Sequence, residues 1–448
     1  MSTQLVPAPL GDGDLISGWG RHPWHRARIR TTERLAEATL NAPLSRGLGR
    51  AYGDSALPVV GEQRTLVDTT QANRVLAFDG STGLLRAEAG LSLGSLRRFF
   101  LPRGWMSPVR PGTRHVTLGG MVAADVHGKE HHLAGCIGAH VRSLTMRTGD
   151  GEIRDVSPDS HPDLFFATLG GMGLTGHILD VELALERVPS PWIYQETERR
   201  ENLASLIEGL HEASTNWPMT VAWMDTTARG ASSGRGIVMR GRWADASEAP
   251  SHYPNPHHAV AVPVRFPNGL ANPFTFGILN TLLYRRHGSQ TRRAVQNPDK
   301  WFWPLDRLDH WNRVYGSRGF TQFQCVLPRS AELFRELLDR FRDAHGCSFV
   351  TVFKDCGPAG KGMLSFPQTG TSLALDLPIS QHTPKIVREL NAIVTANGGR
   401  IYLAKDAFTT AKEFETMYPR LAEWNRIRTK YDPDGRLISA QSRRLLGD

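Results

Sequence analysis

The glycine-rich stretch from Pro111 to His132 constrains the fold of this chain more than any other segment. It places Gly112, Gly119, Gly120 and Gly128 among small residues and ends in a polar run of histidine and lysine. Glycine lets a backbone approach a bulky ligand closely and leaves its N–H groups accessible to phosphate. A glycine-rich hairpin with surface histidines would have the same composition. The stretch therefore predicts a ligand-binding segment beside reactive side chains, with a plain hairpin as the alternative.

A second glycine-rich stretch, residues 45–56, favours the ligand-binding interpretation. Small residues alternate there with Arg46, Arg50, Tyr52 and Asp54, and the stretch contains neither His nor Cys. Glycine-rich loops that expose successive N–H groups are typical of phosphate sites. Two such loops in one chain therefore predict a site that surrounds a phosphate-bearing ligand.

The bulk composition bounds the class of protein. A chain of 448 residues is longer than one ordinary hydrophobic core can accommodate, so we expect two domains. The chain contains no run of about 18 apolar residues, so no transmembrane helix is predicted. Residues Met1 to Gly20 lack the apolar core of a signal peptide. The four cysteines form no CxxC pair, which favours reduced thiols in a cytoplasmic protein. No HExxH-type pattern accompanies His131 and His132, so no metal site is predicted.

The net charge of +9 favours anionic partners. Arginine is spread along the chain and forms no basic block, so no nucleic-acid partner is predicted. A phosphorylated lipid-like substrate on an anionic membrane surface explains the charge, and a general basic bias explains it equally. We expect the protein in the cytoplasm or peripherally at the inner membrane, with the periplasmic face left open.

Hydrophobic periodicity predicts an α+β fold in which helices cover one side of a sheet. Leu93, Leu96 and Phe100 share one helix face, and Gly104 ends that helix. Further helices are predicted at 163–169, 202–214, 331–344, 384–397 and 409–431, and strands at 65–68, 75–78, 84–89, 177–183, 319–327 and 371–377. Residues 244–300 lack periodicity and are rich in Pro, His, Asn and Arg, which predicts a long, irregular and flexible insertion.

The run Gly171-Met-Gly-Leu-Thr-Gly176 fits the GxGxxG pattern of dinucleotide sites. A Rossmann fingerprint must follow a strand and open a helix. This run follows a predicted helix and opens a predicted strand, so we reject a Rossmann site.

The chain resembles the vanillyl-alcohol-oxidase type of FAD-binding family, and within it the decaprenylphosphoryl-β-D-ribose 2-oxidases. The resemblance rests on residues 46–56, on Pro111 to Gly120, on the His127-Gly-Lys-x-His-His132 run and on Tyr402-x-Ala-Lys405-Asp406. It implies a two-domain FAD fold of α+β class, with a substrate domain of antiparallel sheet covered by helices. The implied units are an FAD domain at 1–185, a substrate domain at 186–399 and a C-terminal segment at 400–448 that returns to the FAD domain.

The resemblance also implies the site residues. Those assigned to FAD are Arg46, Gly47, Leu48, Gly49, Arg50, Ala51, Tyr52, Gly112, Thr113, Gly119, Gly120, Ala124, His127, Gly171, Gly173, Gly176, Ile178 and Tyr402. Those assigned to the substrate are Lys129, Trp223, Tyr315, Gln322, Gln324, Lys354, Ser372 and Ala374. Because residues 45–56 lack the His that attaches FAD in many relatives, we expect non-covalent FAD.

Lys405 and His127 are the candidate catalytic residues. Oxidation of a secondary alcohol needs the hydroxyl proton removed as the C–H bond breaks, and a desolvated Lys or a His can take it when its pKa approaches 7. Gln322 and Gln324 alternate on one strand, so both amides can face the hydroxyls of a sugar. The resemblance implies a flavin-facing Cys at the position of Ala374 and a neighbouring Asn at that of Ser372, so the pocket walls of this chain differ from those of the relatives.

The resemblance implies oxidation of the C2 hydroxyl of polyprenylphosphoryl-β-D-ribofuranose to a ketone. An NAD(P)H-dependent short-chain reductase would complete an epimerisation that supplies arabinose for the cell wall. Two alternatives remain at this stage: an FAD oxidase of a soluble polyol or aldonolactone, and a basic non-enzymatic protein that binds nucleic acid or membrane.

Overall fold

The computed structural model describes residues 13–60, 65–255, 259–344 and 346–448. The first twelve residues of the predicted FAD domain therefore lie outside the described residues. The strands are β1 Asp14–Ser17, β2 Trp24–Thr31, β3 Leu44–Arg46, β4 Thr65–Asp68, β5 Val75–Asp79, β6 Leu84–Glu88, β7 Trp105–Met106, β8 Val141–Arg147, β9 Ile153–Val156, β10 His177–Ala184, β11 Glu186–Arg187, β12 Ile193–Arg200, β13 Met219–Met224, β14 Gly236–Trp243, β15 Val260–Ala261, β16 Arg292–Gln296, β17 Leu308–Asp309, β18 Phe320–Leu327, β19 Val352–Cys356, β20 Gly370–Pro378 and β21 Arg400–Ile401.

The helices alternate with these strands along the chain. They are α1 Leu35–Ala38, α2 Leu93–Phe100, α3 Leu118–Ala123, α4 His131–Ala134, α5 Pro162–Thr168, α6 Leu203–Asn216, α7 Pro273–Arg286, α8 Pro298–Phe302, α9 Ala331–Asp343, α10 Thr383–Ala396, α11 Ala411–Met417, α12 Leu421–Tyr431 and α13 Ala440–Leu446. Short 3₁₀ helices cover Leu101–Arg103, Ile137–Ala139, Gly230–Ser232, Pro304–Arg307 and Trp311–Tyr315.

The N-terminal part contains two small sheets, with strand orders β1-β2-β4-β3 and β5-β6-β10-β8-β9. Helix α2 packs beside them as the sequence predicts. The Ser92 hydroxyl caps its first turn by accepting from Ser95 N–H at 3.0 Å, and Leu93, Leu96 and Phe100 are buried. The backbone of Gly104 has a φ of 77°, which ends this segment in the left-handed region that favours glycine.

The middle of the chain forms one antiparallel sheet of eight strands, in the order β16-β12-β14-β13-β19-β20-β18-β21. Alternation along β18 sends Phe323 and Cys325 into the apolar core beneath helices α6, α9 and α10. Gln322 and Gln324 consequently lie on the opposite face of the sheet, which helices α6, α9 and α10 do not cover. This face is available to build a polar site.

The GxGxxG run lies between helix α5 and strand β10, so the structure confirms that it is a helix-to-strand connection. After β21 the chain leaves the sheet and contacts the N-terminal part. Tyr52 N–H donates to the Ala404 carbonyl at 2.9 Å, and Trp424 Nε1 donates to the Ala167 carbonyl at 2.9 Å. The boundaries proposed at residues 185 and 399 stay predictions.

Two expectations about secondary structure are wrong. The single helix predicted at 409–431 is two helices, α11 and α12, because Pro419 disfavours a helical conformation at the residue before it. The irregular insertion predicted at 244–300 contains α7, β16 and α8. Helix α7 escaped detection because apolar side chains lie on both of its faces and leave no single stripe. The mobility of this interval stays a prediction.

Among the described residues, no helix combines the length and apolar content that crossing a bilayer requires.

Candidate active site

A cavity of about 820 Å³ lies between the glycine-rich loops and the polar face of the large sheet. Most of the predicted site residues line it. These are Arg46, Gly47, Leu48, Gly49, Arg50, Ala51, Tyr52, Gly112, Thr113, Gly119, Gly120, Ala124, His127, Lys129, Gly173, Gly176, Ile178, Trp223, Gln322, Gln324, Lys354, Ser372, Ala374, Tyr402 and Lys405. Two predicted residues, Gly171 and Tyr315, do not line it. Gly171 packs instead against the Ala167 carbonyl.

The first glycine-rich loop keeps free hydrogen-bond donors at the cavity. The backbone N–H groups of residues 48–50 donate to no acceptor among the described residues. The Arg46 guanidinium supports the loop from below, donating to the Ser17 carbonyl at 2.6 Å and the Ala56 carbonyl at 3.1 Å. Gly49 has a φ of 63°, and a Cβ there would collide with that guanidinium. Successive unpaired N–H groups form a site for an anion such as a diphosphate.

Arg50 adds a cation to this loop. Its guanidinium lies 4.0 Å from the centre of the Trp19 ring, and its Nε is buried with no hydrogen-bond partner among the described residues. Across the cavity, a Cβ on Gly112 or Gly173 would meet nothing within 4 Å. Free backbone donors, an arginine whose Nε lacks a hydrogen-bond partner, and open space beside the backbone fit a long ligand that carries a diphosphate. The residues present therefore fit FAD.

Lys405 lies in the turn that follows β21, and its ammonium faces the cavity. Nζ lies 3.6 Å from the centre of the Tyr52 ring and has no hydrogen-bond partner among the described residues. Burial lowers the pKa of Lys405 to about 7, and the negative charge of Asp376 partly opposes this shift. The side chain is therefore a base that can be neutral near pH 7.

Asp376 is a fully buried carboxyl that sequence analysis missed. It pairs with Gln322 across β20 and β18, and it accepts from Gln322 Nε2 at 2.7 Å and from the Tyr315 hydroxyl at 2.8 Å. Burial raises its pKa to about 6. Tyr315 does not line the cavity and donates its hydroxyl to Asp376, and its assignment to the substrate stays a prediction. Side chains on a strand alternate between its two faces, so Asp376 lies on the same face as Ser372 and Ala374. This spacing could have indicated Asp376 as a residue of the polar face.

His127 is joined to the sheet by Lys354. Lys354 Nζ contacts His127 Nδ1 and donates to the Gly128 carbonyl at 2.8 Å, while Gln324 Nε2 lies 3.4 Å from His127 Nε2. Burial and then the charge of Lys354 hold the pKa of His127 well below its ordinary value. The imidazole is therefore neutral, and both of its nitrogens already contact protein side chains.

Lys129 is another lysine that lines the cavity, and α8 holds it. Nζ donates to the carbonyls of Trp301 at 2.8 Å and Phe302 at 3.0 Å. Burial lowers the pKa of Lys129 to about 8. Nothing in the local sequence of Trp301 or Phe302 signals this contact, since they lie 172 and 173 residues from Lys129.

Ala374 and Ser372 lie on the cavity face of β20. Ser372 Oγ accepts from Gln324 Nε2 at 3.3 Å. All four cysteines of the chain are buried and free, and none lines this cavity. Burial raises the pKa of the Cys325 thiol to about 12 and that of Cys356 to about 11. The cavity therefore offers no reactive thiol.

Comparison with known proteins agrees with this geometry. Residues 22–157 match the FAD binding domain family, and residues 376–445 match the D-arabinono-1,4-lactone oxidase family. A decaprenylphosphoryl-β-D-ribose oxidase of Mycolicibacterium smegmatis is 39% identical over 96% of this chain and 97% of its own length. A putative D-arabinono-1,4-lactone oxidase of Neurospora crassa is 27% identical over 35% of this chain and 27% of its own.

Fold, cavity and comparisons define an FAD-dependent oxidoreductase of the two-domain vanillyl-alcohol-oxidase type, as the sequence predicted. The chain belongs to the decaprenylphosphoryl-β-D-ribose oxidase family. The non-enzymatic alternative is thereby wrong.

Proposed function

We propose that this protein oxidises the C2 hydroxyl of polyprenylphosphoryl-β-D-ribofuranose to the 2-ketone, the first half of an epimerisation to the arabinose donor for cell-wall synthesis. The name of the Mycolicibacterium smegmatis relative supports the substrate. The observation that carries the reaction is Lys405, an amine with a pKa of about 7 that faces a cavity fitted for FAD. Desolvation of this kind is how enzymes adapt a lysine to accept a proton near neutral pH.

The oxidation removes a hydride from C2 and a proton from the hydroxyl group of the alcohol. Bound FAD supplies the acceptor for the hydride that leaves C2. The neutral amine of Lys405 takes the hydroxyl proton as the C=O bond forms, and it becomes an ammonium. Asp376 lies nearby and stabilises that positive charge. We assign the proton to Lys405 in preference to His127, because both imidazole nitrogens already contact Lys354 and Gln324.

The polar face of the sheet positions the sugar. Gln322 and Gln324 are buried amides on that face, and an amide offers both the donor and the acceptor that a hydroxyl needs. Lys354 is a buried cation beside them and suits the phosphate of the substrate. His127 holds Lys354 in place through the contact at Nδ1.

The reaction implies further partners. A 2-ketone returns to an alcohol only with a reductant, so an NAD(P)H-dependent short-chain reductase completes the epimerisation. A polyprenyl chain keeps the substrate in a membrane, so the protein works as a cytoplasmic or peripheral protein at the inner membrane, on the cytoplasmic or the periplasmic face. The match of residues 376–445 favours oxidation of an aldonolactone as the second candidate.

Anaerobic mixing of the holoenzyme with each candidate tests the proposal. A short-chain polyprenylphosphoryl-ribofuranose should bleach the flavin absorbance, and its 2-deoxy analogue, which lacks the reacting hydroxyl, should not. Borodeuteride reduction of the product should place deuterium at C2 of ribose and arabinose. Bleaching by D-arabinono-1,4-lactone without bleaching by the ribose substrate would establish the second candidate instead.

A further inference from the structure

Helix α7 carries apolar side chains on two opposite faces. Phe276 and Tyr284 are buried against the body of the protein. Phe274, Ile278 and Leu282 are 77%, 49% and 60% exposed. Residues two positions apart on a helix lie about 200° apart around its axis, so these three side chains point away from the buried pair. We call these three residues the outer face of α7.

Positive charge surrounds the outer face. Residues 259–313 contain eight Lys or Arg residues against three Asp residues. Asp299 pairs with Arg97 and Arg114, which lie outside this interval, and Asp306 accepts from Thr113. Asp309 is exposed and Arg293 pairs with Glu196, so the positive charge on α7 and just after it comes from the exposed cations Arg285, Arg286, Arg292 and Lys300. Together they complement a negatively charged partner.

The same helix is a wall of the cavity. Leu283 and His287 line the cavity, one residue and five residues beyond Leu282. Lys300 and Arg307 of the same basic interval line it as well. A partner seated on the outer face would therefore lie beside the cavity that holds the reacting groups.

We propose that the outer face of α7 docks this protein on an anionic phospholipid surface. Phe274, Ile278 and Leu282 enter the boundary between head groups and acyl chains, while the arginines contact lipid phosphates. An apolar helix face bordered by arginines is the pattern of interfacial membrane helices. The inference rests on the proposed function, because a lipid-linked substrate resides in such a surface and must reach the cavity from it.

Vesicle sedimentation of the full-length holoenzyme tests the proposal. The protein should sediment with phosphatidylcholine vesicles that contain phosphatidylglycerol and much less with pure phosphatidylcholine. Leu282→Asp should reduce partition into the anionic vesicles about tenfold, as expected for loss of one buried leucine. Leu40→Asp is the matched control, because Leu40 is 53% exposed and lies in the N-terminal part, and it should sediment like the wild type.

Two further measurements separate the possible failures. Leu282 does not line the cavity, so Leu282→Asp should keep its visible flavin spectrum and its single-turnover rate with a water-soluble short-chain substrate. If the wild type fails to react with that substrate yet binds anionic vesicles, only the proposed function fails. If the wild-type protein does not bind anionic vesicles, the docking proposal is wrong. If it forms a dimer that Leu282→Asp dissociates, the outer face is a protein interface instead.

Discussion

Lys405 and Asp376 interact electrostatically at the cavity, and each changes the other's protonation. Burial disfavours the charged form of both groups, which lowers the pKa of Lys405 to about 7 and raises that of Asp376 to about 6. Their attraction opposes both shifts. Near neutral pH the pair therefore holds an ionised Asp376 beside a lysine that readily exchanges a proton.

The variant Lys405→Ala lacks the amine that we propose as the proton acceptor. Removing the proton acceptor should lower the single-turnover rate of flavin bleaching by more than tenfold, a loss above about 1.4 kcal/mol of transition-state stabilisation. The free energy of unfolding should change by less than about 1 kcal/mol, because the amine makes no hydrogen bond to a described residue. Lys361→Ala, at an exposed position, is the control and should keep the wild-type rate. A Lys405→Ala rate within tenfold of wild type contradicts the assignment.

The second prediction concerns pH. The neutral amine of Lys405 is the active form, so the rate should rise with pH through about 7. The charge of Asp376 raises the pKa of Lys405, so Asp376→Asn should move the midpoint of the rate profile to lower pH. Single-turnover rates across pH measure the midpoint, with Asp343→Asn, at an exposed position of α9, as the control. A midpoint that stays fixed or moves upward argues against coupling of the two groups.

The third prediction concerns Ala374, which lines the cavity at the position where the family resemblance implies a cysteine. A covalent adduct with a nitroaromatic inhibitor at this position would need a thiolate, which alanine lacks. Wild-type protein incubated with inhibitor and substrate should show no adduct by mass spectrometry, whereas Ala374→Cys should gain one. An adduct on the wild-type chain, or none on the variant, would show that β20 presents a different residue to the cavity.

Helix α13 connects the turn that carries Lys405 to the first glycine-rich loop. Arg444 donates to Asp54 at 2.8 and 2.9 Å, and its guanidinium lies 2.9 Å from Asp406, the neighbour of Lys405. Both carboxylates are buried. One arginine thereby joins two buried carboxylates that are distant in sequence, each of which belongs to a segment that lines the cavity.

Arg444→Met should leave two buried carboxylates without their cation. Breaking a buried ion pair costs about 3–5 kcal/mol, so we expect a loss of that order in the free energy of unfolding, together with weaker FAD retention. Denaturant unfolding and a flavin titration measure the two effects. Arg420→Met, which breaks the exposed pair with Glu423, is the matched control and should cost less than about 1 kcal/mol. Equal losses in both variants would show that Arg444 does not fasten the site.

At the scale of the whole molecule, the cavity belongs to neither half alone. The glycine-rich loop supplies unpaired N–H groups, and the eight-stranded sheet supplies the buried amides and Lys354. The C-terminal segment then places Lys405 between them through the backbone bond from Tyr52 to Ala404. In the proposed reaction, a substrate bound by the sheet would therefore meet a cofactor bound by the loop.

This arrangement predicts that FAD is held without a covalent bond. The cofactor loop contains no His or Cys, and the four thiols are buried away from the cavity. Acid precipitation of the holoenzyme should leave the yellow colour in the supernatant. Flavin that pellets with the protein, and that mass spectrometry finds on a peptide, would contradict the prediction.

Features that depend on short-range periodicity could be predicted from the sequence alone. Glycine spacing indicated the cofactor loops, the positions of Leu93, Leu96 and Phe100 indicated α2, and alternation placed Gln322 and Gln324 on one face of a strand. The family resemblance then supplied the fold class and FAD. These features were accessible because backbone geometry repeats every two or 3.6 residues, whatever the rest of the chain does.

Which side chains meet, and how far they are desolvated, depends on the folded structure as a whole. It placed Tyr315 behind Asp376 and joined Lys354 to His127 across 227 residues. It also turned the outer face of α7 toward solvent, where apolar spacing alone predicted nothing. The pKa of Lys405 likewise depends on burial by distant segments. Local sequence cannot specify such contacts, because the free energy of burial is set by the whole packed chain.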